Sequence, residues 1–162
     1  MMGVGKSTIG NKLAKKLKIK FIDIDQIIEK KEKTKIKEIF REKGEDYFRK
    51  IEKKITLDEI KKSNTVIALG GGAFMESSIR KEAKSSSISF WLDLDIKTLL
   101  TRLKNIKKRP LLNQDNLEDS VIKIYSERKK IYNMSDFKIK CNSKNTNQIV
   151  DKIIKLYESS DN

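Results

Sequence analysis

Residues 3–8 of the chain read GVGKST, a pattern whose residue types bind the phosphates of a nucleotide. Glycines let backbone N–H groups close around a phosphate, a lysine reaches the β- and γ-phosphates, and a serine or threonine hydroxyl holds Mg²⁺. The helix that begins directly after such a loop points its positive end at the anion. We therefore predict a loop that binds ATP and Mg²⁺. Its residues are Gly3, Val4, Gly5, Lys6, Ser7 and Thr8.

The phosphate-binding pattern is incomplete at its start. The full form is G-x-x-x-x-G-K-[ST], and its first glycine would fall one residue before Met1. The strand that leads into such a loop is also missing from the sequence. Of the strand, loop and helix that make up this motif, the sequence therefore contains the loop and the helix, and we expect the chain to be less stable and less active than a version extended upstream by about ten residues.

Two carboxylates, Asp23 and Asp25, lie at the end of a short strand predicted over residues 20–25, KFIDID. Alternation along a strand would point both side chains to the same side. The carboxyl ends of strands are where open parallel sheets bind ligands, and paired acids there suit Mg²⁺ and a polyol substrate. The alternative is a solvated strand end at which Asp25 caps the next helix. The sequence leaves both interpretations open.

Three consecutive glycines follow a second predicted strand, TVIAL at residues 65–69. Glycines allow a ligand to contact the backbone and offer N–H groups to an anion. The alternative is a tight turn between a strand and a helix, but three glycines exceed what a turn needs. We predict an anion-binding turn at Gly70, Gly71 and Gly72.

Arginine is rare in this chain, with six among 37 basic residues. The planar guanidinium fork pairs with carboxylate or phosphate in a way that lysine cannot reproduce. In so lysine-rich a sequence, arginine indicates positions where that fork matters. Surface charge is the simpler interpretation for Arg41 and Arg80. The candidate site arginines are Arg49, Arg102, Arg109 and Arg128.

Predicted strands and helices alternate along the chain, which favours an α/β fold with a parallel sheet covered by helices on both faces. Strands are predicted at residues 20–25, 65–69, 88–94 and 136–141, and helices break near Lys33–Thr34 and at Gly44. The length suits one domain spanning residues 1–162.

Composition excludes several chemistries. The chain has no histidine, so histidine bases and histidine metal sites are absent, and Cys141 is its single cysteine, which fits a small apolar residue in a reducing compartment. The formal charge of +14 favours anionic ligands, but the lysines are dispersed and aromatics are 7%, too few for base stacking. We expect a cytoplasmic monomer with no nucleic-acid partner and no membrane association.

The motifs GVGKST, FIDID, EDYFRKIE, ALGGGA, RPLL and ERKKIY occur in an order that resembles the shikimate kinase family, from residue 1 to about residue 158. The resemblance implies a three-layer P-loop fold of the nucleoside-monophosphate-kinase type. Its parallel sheet has the strand order 2-3-1-4-5, and strand 1 is the one absent here. The implied reaction is ATP plus shikimate giving ADP and shikimate 3-phosphate, a step of aromatic amino-acid biosynthesis.

The same resemblance implies roles for residues on the nucleotide side. Lys6 and Ser7 contact ATP and Mg²⁺, and Asp23 holds a metal-bound water. Arg102 packs near the adenine. Arg109, on a lid loop, reaches the transferring phosphate, so that Mg²⁺, Lys6 and Arg109 neutralise the phosphates.

On the substrate side, the resemblance implies that Arg49 and Arg128 clamp the shikimate carboxylate, assisted by the backbone of residues 70–72. Asp25 orients the ring hydroxyl and takes its proton. The substrate-binding helical segment is then about 26–62, and the lid is about 105–116.

Two other functions stay open from the sequence. Another small-molecule P-loop kinase, for gluconate or a nucleotide, would share the loop, although the glycine turn and the Arg49–Arg128 pair favour a substrate with a carboxylate. The other is a non-catalytic relic that binds nucleotides or nucleic acid, which the missing strand and the basic charge would both fit.

Overall fold

The chain was analysed as a computed structural model, which describes residues 3–104, 116–142 and 144–160. Arg109 and nearly all of the predicted lid lie outside the described residues. In chain order the elements are α1 (Lys6–Leu17), β1 (Lys20–Asp23), α2 (Ile24–Glu32), α3 (Ile36–Ile60), β2 (Thr65–Ala68), a 3-10 helix (Ala73–Met75), α4 (Ser77–Ser86), β3 (Phe90–Asp93), α5 (Ile96–Lys104), α6 (Leu117–Tyr132), β4 (Phe137–Lys140) and α7 (Thr146–Glu158).

The four strands form two separate parallel pairs. β1 pairs with β2, with Lys20 opposite Thr65, and β3 pairs with β4, with Phe90 opposite Phe137. Within the described residues β2 and β3 are not hydrogen-bonded to each other. These are the two pairs that the strand order 2-3-1-4-5 leaves when strand 1 is missing. The predicted parallel α/β architecture is confirmed, and so is the expected gap.

Local backbone chemistry sets the limits of several helices. α1 begins after Gly5, whose φ of 88° is left-handed, and α7 begins with a capping box in which Asn145 and Gln148 bond to each other's backbone N–H. The predicted breaks are both observed: one separates α2 from α3, and the other is a kink inside α3 at Gly44, with φ 78° and ψ 172°.

The strand predicted over residues 20–25 is too long by two residues. β1 ends at Asp23, and the fully buried Ile24 opens α2. Asp23 is the N-cap of that helix and accepts a hydrogen bond from the Gln26 N–H at 3.4 Å, which favours helix over further strand. The alternation argument for Asp25 was therefore wrong, and so was Asp25 as the cap. Asp25 lies instead in the first turn of α2.

Two apolar cores hold together the helices and strands that position the site. One joins α1 to the β3–β4 pair, α5, α6 and α7, and the other packs α2 and α3 against the β1–β2 pair. α3 thereby lies along β1 and β2, and its middle reaches the carboxyl end of β2. No helix among residues 3–104, 116–142 and 144–160 is long and apolar enough to cross a membrane.

Cys141 is expected to react slowly with iodoacetamide in the folded protein. The side chain is 1% exposed, and burial raises the pKa of its thiol from 9.0 to about 11. A rise of that size lowers the thiolate fraction roughly a hundredfold at neutral pH, and the thiolate is the reactive form. Carboxymethylation followed by mass spectrometry, with and without urea, measures the rate. Rapid modification without urea would contradict this burial.

Candidate active site

The phosphate-binding loop has the backbone that its sequence predicts. Gly3 and Gly5 have φ values of 73° and 88°, and Lys6 is the first residue of α1. A Cβ at Gly3 would also crowd the Leu103 Cδ2 at 3.1 Å, but the positive φ is the feature that favours glycine here. Among the described residues no side chain caps the start of α1, whose N–H groups are therefore available to an anion.

A hydroxyl and a carboxylate meet beside this loop. The Ser7 Oγ donates a hydrogen bond to the Asp23 Oδ2 at 2.5 Å, which ties the first turn of α1 to the carboxyl end of β1. Hydroxyl and carboxylate oxygens are ligands that Mg²⁺ accepts, directly or through water. The donor set fits that ion, and the sequence had predicted both residues for it.

The glycine turn after β2 gives room to two side chains of α3. A Cβ on Gly70 would overlap the Glu52 Oε1 and lie 3.0 Å from the Asp25 Oδ1, and a Cβ on Gly72 would lie 2.6 Å from the Arg49 Nη1. Neither glycine has a positive φ, so the requirement here is close approach rather than backbone conformation. The turn therefore seats an arginine and a glutamate against its backbone.

The carbonyl oxygen of the middle glycine is held by two side chains of α6. The Arg128 Nη1 donates to the Gly71 carbonyl oxygen at 2.6 Å, and the Tyr132 hydroxyl donates to the same oxygen. Arg128 is 8% exposed, which is unusual for an arginine and requires such partners. Two polar groups of α6 thus hold the same glycine turn that side chains of α3 contact.

Opposite charges are concentrated at this turn. The Arg49 Nη1 lies 2.5 Å from the Glu52 Oε2, and Arg49 also bonds to Glu45 through its Nε and Nη2. Glu52 is 2% exposed, and its Oε1 has no hydrogen-bond partner among the described residues. Burial raises the pKa of the Glu52 carboxyl and the Asp25 carboxylate adds to this, whereas Arg49 and Arg128 oppose it. Two arginines and two acids therefore share one partly enclosed site.

The predicted site residues fall into two adjoining groups. Ser7 and Asp23 meet beside the phosphate-binding loop, next to Lys6, the first residue of α1. Asp25, two residues after Asp23, adjoins the glycine turn that Arg49 and Arg128 contact. Arg102 is exposed on α5, the helix whose Leu99 and Leu103 pack against Gly3, and no described contact tests its adenine role.

Sequence reasoning missed two residues of the site, Glu52 and Tyr132. Each follows a predicted arginine by one helical turn: Glu52 is three residues after Arg49, and Tyr132 is four after Arg128. Side chains at those spacings lie on the same helix face. The spacing could have predicted both residues, because a polar side chain one helical turn after each arginine lies next to that arginine.

A phosphate-binding loop at the start of α1, together with a glycine turn after β2 that two arginines contact, defines the class of a P-loop small-molecule kinase. A sequence model described as "Shikimate kinase" matches residues 2–158. The chain belongs to the shikimate kinase family, and it is a kinase with ATP as co-substrate.

Proteins described as shikimate kinases are similar to this chain over nearly its full length. The shikimate kinase of Persephonella marina is 42% identical over 94% of this chain and 92% of the relative, and that of Sulfurihydrogenibium sp. is 40% identical over 94% and 91%. Among solved structures, shikimate kinase from Acinetobacter baumannii in complex with shikimate has a TM-score of 0.93 at 31% identity, covering 98% of this chain and 89% of that one. The enzyme from Aquifex aeolicus has a TM-score of 0.87 at 36% identity, covering 99% and 94%.

Proposed function

We propose that this kinase transfers the γ-phosphoryl group of ATP to the 3-hydroxyl of shikimate, giving ADP and shikimate 3-phosphate. The observation that carries the proposal is that Arg49 and Arg128 both contact the glycine turn at the carboxyl end of β2. Shikimate is a carboxylate with ring hydroxyls. The A. baumannii relative, whose structure contains shikimate, supports the same substrate.

The substrate carboxylate is bound by two guanidinium groups. Arg49 reaches the turn from α3 and Arg128 reaches it from α6, so a carboxylate placed there accepts charge-assisted hydrogen bonds from both. Glu52 holds the Arg49 fork and Tyr132 holds the Gly71 carbonyl, and both act as positioning residues. The helical segment 26–62 is in this proposal the substrate-binding part of a single domain.

The reacting hydroxyl lies next to Asp25. This carboxylate adjoins Gly70, and it follows by two residues Asp23, which bonds to Ser7 of the phosphate-binding loop. Asp25 orients the hydroxyl and accepts its proton as the new oxygen–phosphorus bond forms. Phosphoryl transfer needs little covalent assistance, so position and charge neutralisation supply most of the catalysis.

On the nucleotide side, Lys6 and the N–H groups at the start of α1 bind the phosphates. Ser7 and Asp23 would hold Mg²⁺, which when bound neutralises phosphate charge during transfer. We assign Arg102 to the adenine and Arg109 to the transferring phosphate on the resemblance alone, with Arg109 outside the described residues.

The test is ADP release, measured with pyruvate kinase and lactate dehydrogenase, in the presence of shikimate, gluconate or a nucleoside monophosphate. We expect shikimate to stimulate release and the other two acceptors to leave it at the background rate. Equal turnover of gluconate would make the chain a kinase of another substrate, and no stimulation by any acceptor would favour a non-catalytic nucleotide-binding protein.

Replacing Arg49 or Arg128 by lysine is expected to weaken shikimate binding roughly ten- to a hundredfold and to leave ATP binding nearly unchanged. Lysine keeps the charge but loses the fork, and a hydrogen bond to a charged group contributes about 1.5–3 kcal/mol. Calorimetric titration of each ligand measures both affinities. Arg41→Lys is the matched control, because Arg41 lies on α3 and pairs only with neighbouring Glu38 and Glu42 among the described contacts. Unchanged shikimate affinity in both site variants would remove these arginines from the clamp.

A further inference from the structure

α6 carries one arginine of the proposed clamp, and a tyrosine lies about one helical turn to either side of it. Tyr125 comes three residues before Arg128 and Tyr132 comes four residues after it, so the three side chains share one face of the helix. Arg128 and Tyr132 both donate to the Gly71 carbonyl oxygen. Tyr125 makes the third polar contact on this face, and that contact is to a different strand.

Tyr125 reaches the carboxyl end of β3. Its hydroxyl donates a hydrogen bond to the Asp93 Oδ1 at 2.9 Å, and Asp93 is the last residue of that strand. Burial, and then the hydrogen bond to Asp93, raise the pKa of the Tyr125 hydroxyl to about 12. The hydroxyl therefore remains a hydrogen-bond donor in any assay near neutral pH.

Asp93 is itself held in place by β4. Its Oδ2 lies 3.1 Å from the Lys138 Nζ, which also lies 4.2 Å from the centroid of the Trp91 ring, and Lys138 is the partner of Trp91 in the register of the two strands. The Asp93 carbonyl oxygen accepts a hydrogen bond from the Cys141 N–H at 2.8 Å. Asp93 is thus a fixed acceptor, and its bond to Tyr125 is assisted by charge.

The same face of β3 contacts α6 at a second point. Trp91 and Asp93 are two residues apart, so their side chains point to one face of the strand. Tyr132 packs edge-on against Trp91, with 5.9 Å between the ring centroids, while Tyr125 bonds to Asp93. Arg128 lies between these two contacts along the helix. Loss of one contact would let α6 shift about the other, and the Arg128 fork would shift with it.

We propose that Tyr125 and Asp93 are positioning residues for the kinase reaction, and that their hydrogen bond holds α6 where the Arg128 fork meets the substrate carboxylate. Both residues act through Arg128 rather than on the substrate. The inference rests on the proposed shikimate function, because it requires a carboxylate at the glycine turn. The two bonds of a guanidinium fork are directional, so a small displacement of the fork weakens binding.

The test replaces Tyr125 by phenylalanine in the 162-residue chain, which removes only the hydroxyl. We expect the KM for shikimate to rise about threefold to tenfold, because a displaced fork loses part of a charge-assisted hydrogen bond. The kcat and the KM for ATP should stay within about twofold, since Arg128 contributes to binding of the substrate rather than to the transfer step. Coupled ADP release measures these constants, and calorimetric titration measures shikimate affinity.

Ser89→Ala is the matched control. The Ser89 hydroxyl donates to the Asp136 Oδ2 at 2.6 Å, so this variant also loses a bond between a hydroxyl and a carboxylate in the β3–β4 pair. The bond lies just before Phe90 and Phe137, at the opposite end of the strands from Asp93. We expect Ser89→Ala to leave the KM for shikimate unchanged.

Asp93→Asn provides a second variant, because asparagine keeps the shape of the side chain and removes its charge. The KM for shikimate should rise in this variant too. In the double variant with Tyr125→Phe, the rise should be well below the product of the two separate rises, because both substitutions weaken the same hydrogen bond.

An unchanged KM for shikimate in Tyr125→Phe would overturn the positioning role, and so would a fall in kcat at unchanged KM. An equal rise in Ser89→Ala would also overturn it, since the cause would then be a general loosening of the strand pair. Rises that multiply in the double variant would show that Tyr125 and Asp93 act separately, against the proposal. If shikimate does not stimulate ADP release by the unmodified chain, the proposed function is wrong instead.

Discussion

Extending the chain in front of Met1 by an apolar strand ending in glycine is expected to raise its free energy of unfolding by at least about 3 kcal/mol. The strand would satisfy several backbone groups on the edges of β2 and β3, each of which costs about 1–3 kcal/mol when buried without a partner. At about 2–4 °C per kcal/mol for a chain of this size, the melting temperature should rise by about 6–12 °C. Urea unfolding and calorimetry measure both quantities.

Activity should rise with stability in the extended protein. The loop at Gly3 and Gly5 positions its N–H groups by a tight turn, and a rigid strand delivering the chain into that turn reduces its disorder. Covalent attachment also supplies an effective strand concentration in the millimolar range. Shikimate-dependent ADP release should therefore increase. An extension with proline at its centre is the control. If that control performs as well, or if the original chain melts as high and turns over as fast, the added strand does not pair with β2 and β3.

Replacing Glu52 by alanine is expected to lower the free energy of unfolding by about 3 kcal/mol at neutral pH. Removing one partner of a buried ion pair costs about 3–5 kcal/mol, and the lower value applies because Arg49 is 30% exposed. The substitution also leaves a cavity against Gly70. Urea unfolding measures the change.

Glu45→Ala is the matched control for Glu52→Ala. Glu45 lies on α3 and pairs with the same arginine at 2.9 Å, but its side chain is 49% exposed, so the loss should stay below about 1 kcal/mol. Equal losses for the two variants would show that Glu52 contributes no more than a surface ion pair. A large loss for Glu52→Ala alone would support its role in holding the Arg49 fork.

The pH dependence of the free energy of unfolding of Glu52→Gln gives a second test of what Glu52 contributes to stability. Burial raises the pKa of Glu52, so the folded-state pKa lies above the unfolded one. Stability from such a group is fully present below the unfolded pKa and is lost as the pH rises through the folded pKa. Glutamine does not titrate, so any advantage of the original chain over Glu52→Gln should shrink as the pH rises from the ordinary glutamate pKa through the raised folded-state pKa. An advantage that grows with pH would mean that Arg49 dominates over burial.

The sequence by itself determined the features that depend on neighbouring residues. The glycines and lysine of residues 3–8 predicted the phosphate-binding loop, alternating strands and helices predicted the parallel α/β fold, and Gly44 marked the kink in α3. The backbone of the loop, the fold class and the kink agree with the structure, because backbone conformation and helix starts are decided within a few residues along the chain.

Only the tertiary structure decided which residues meet at the glycine turn and why three glycines stand there. Arg128 bonds to a carbonyl 57 positions away, and Glu52 presses against Gly70 from another helix. The sequence suggested that the glycines admit a ligand, whereas two of them admit side chains of α3. Asp23 and Asp25 also differ in position, because β1 ends at Asp23 and α2 begins at Ile24. Asp23 therefore caps α2, whereas Asp25 lies in its first turn. Such contacts depend on how helices pack across the sheet, and packing between distant segments is not encoded in local residue spacing.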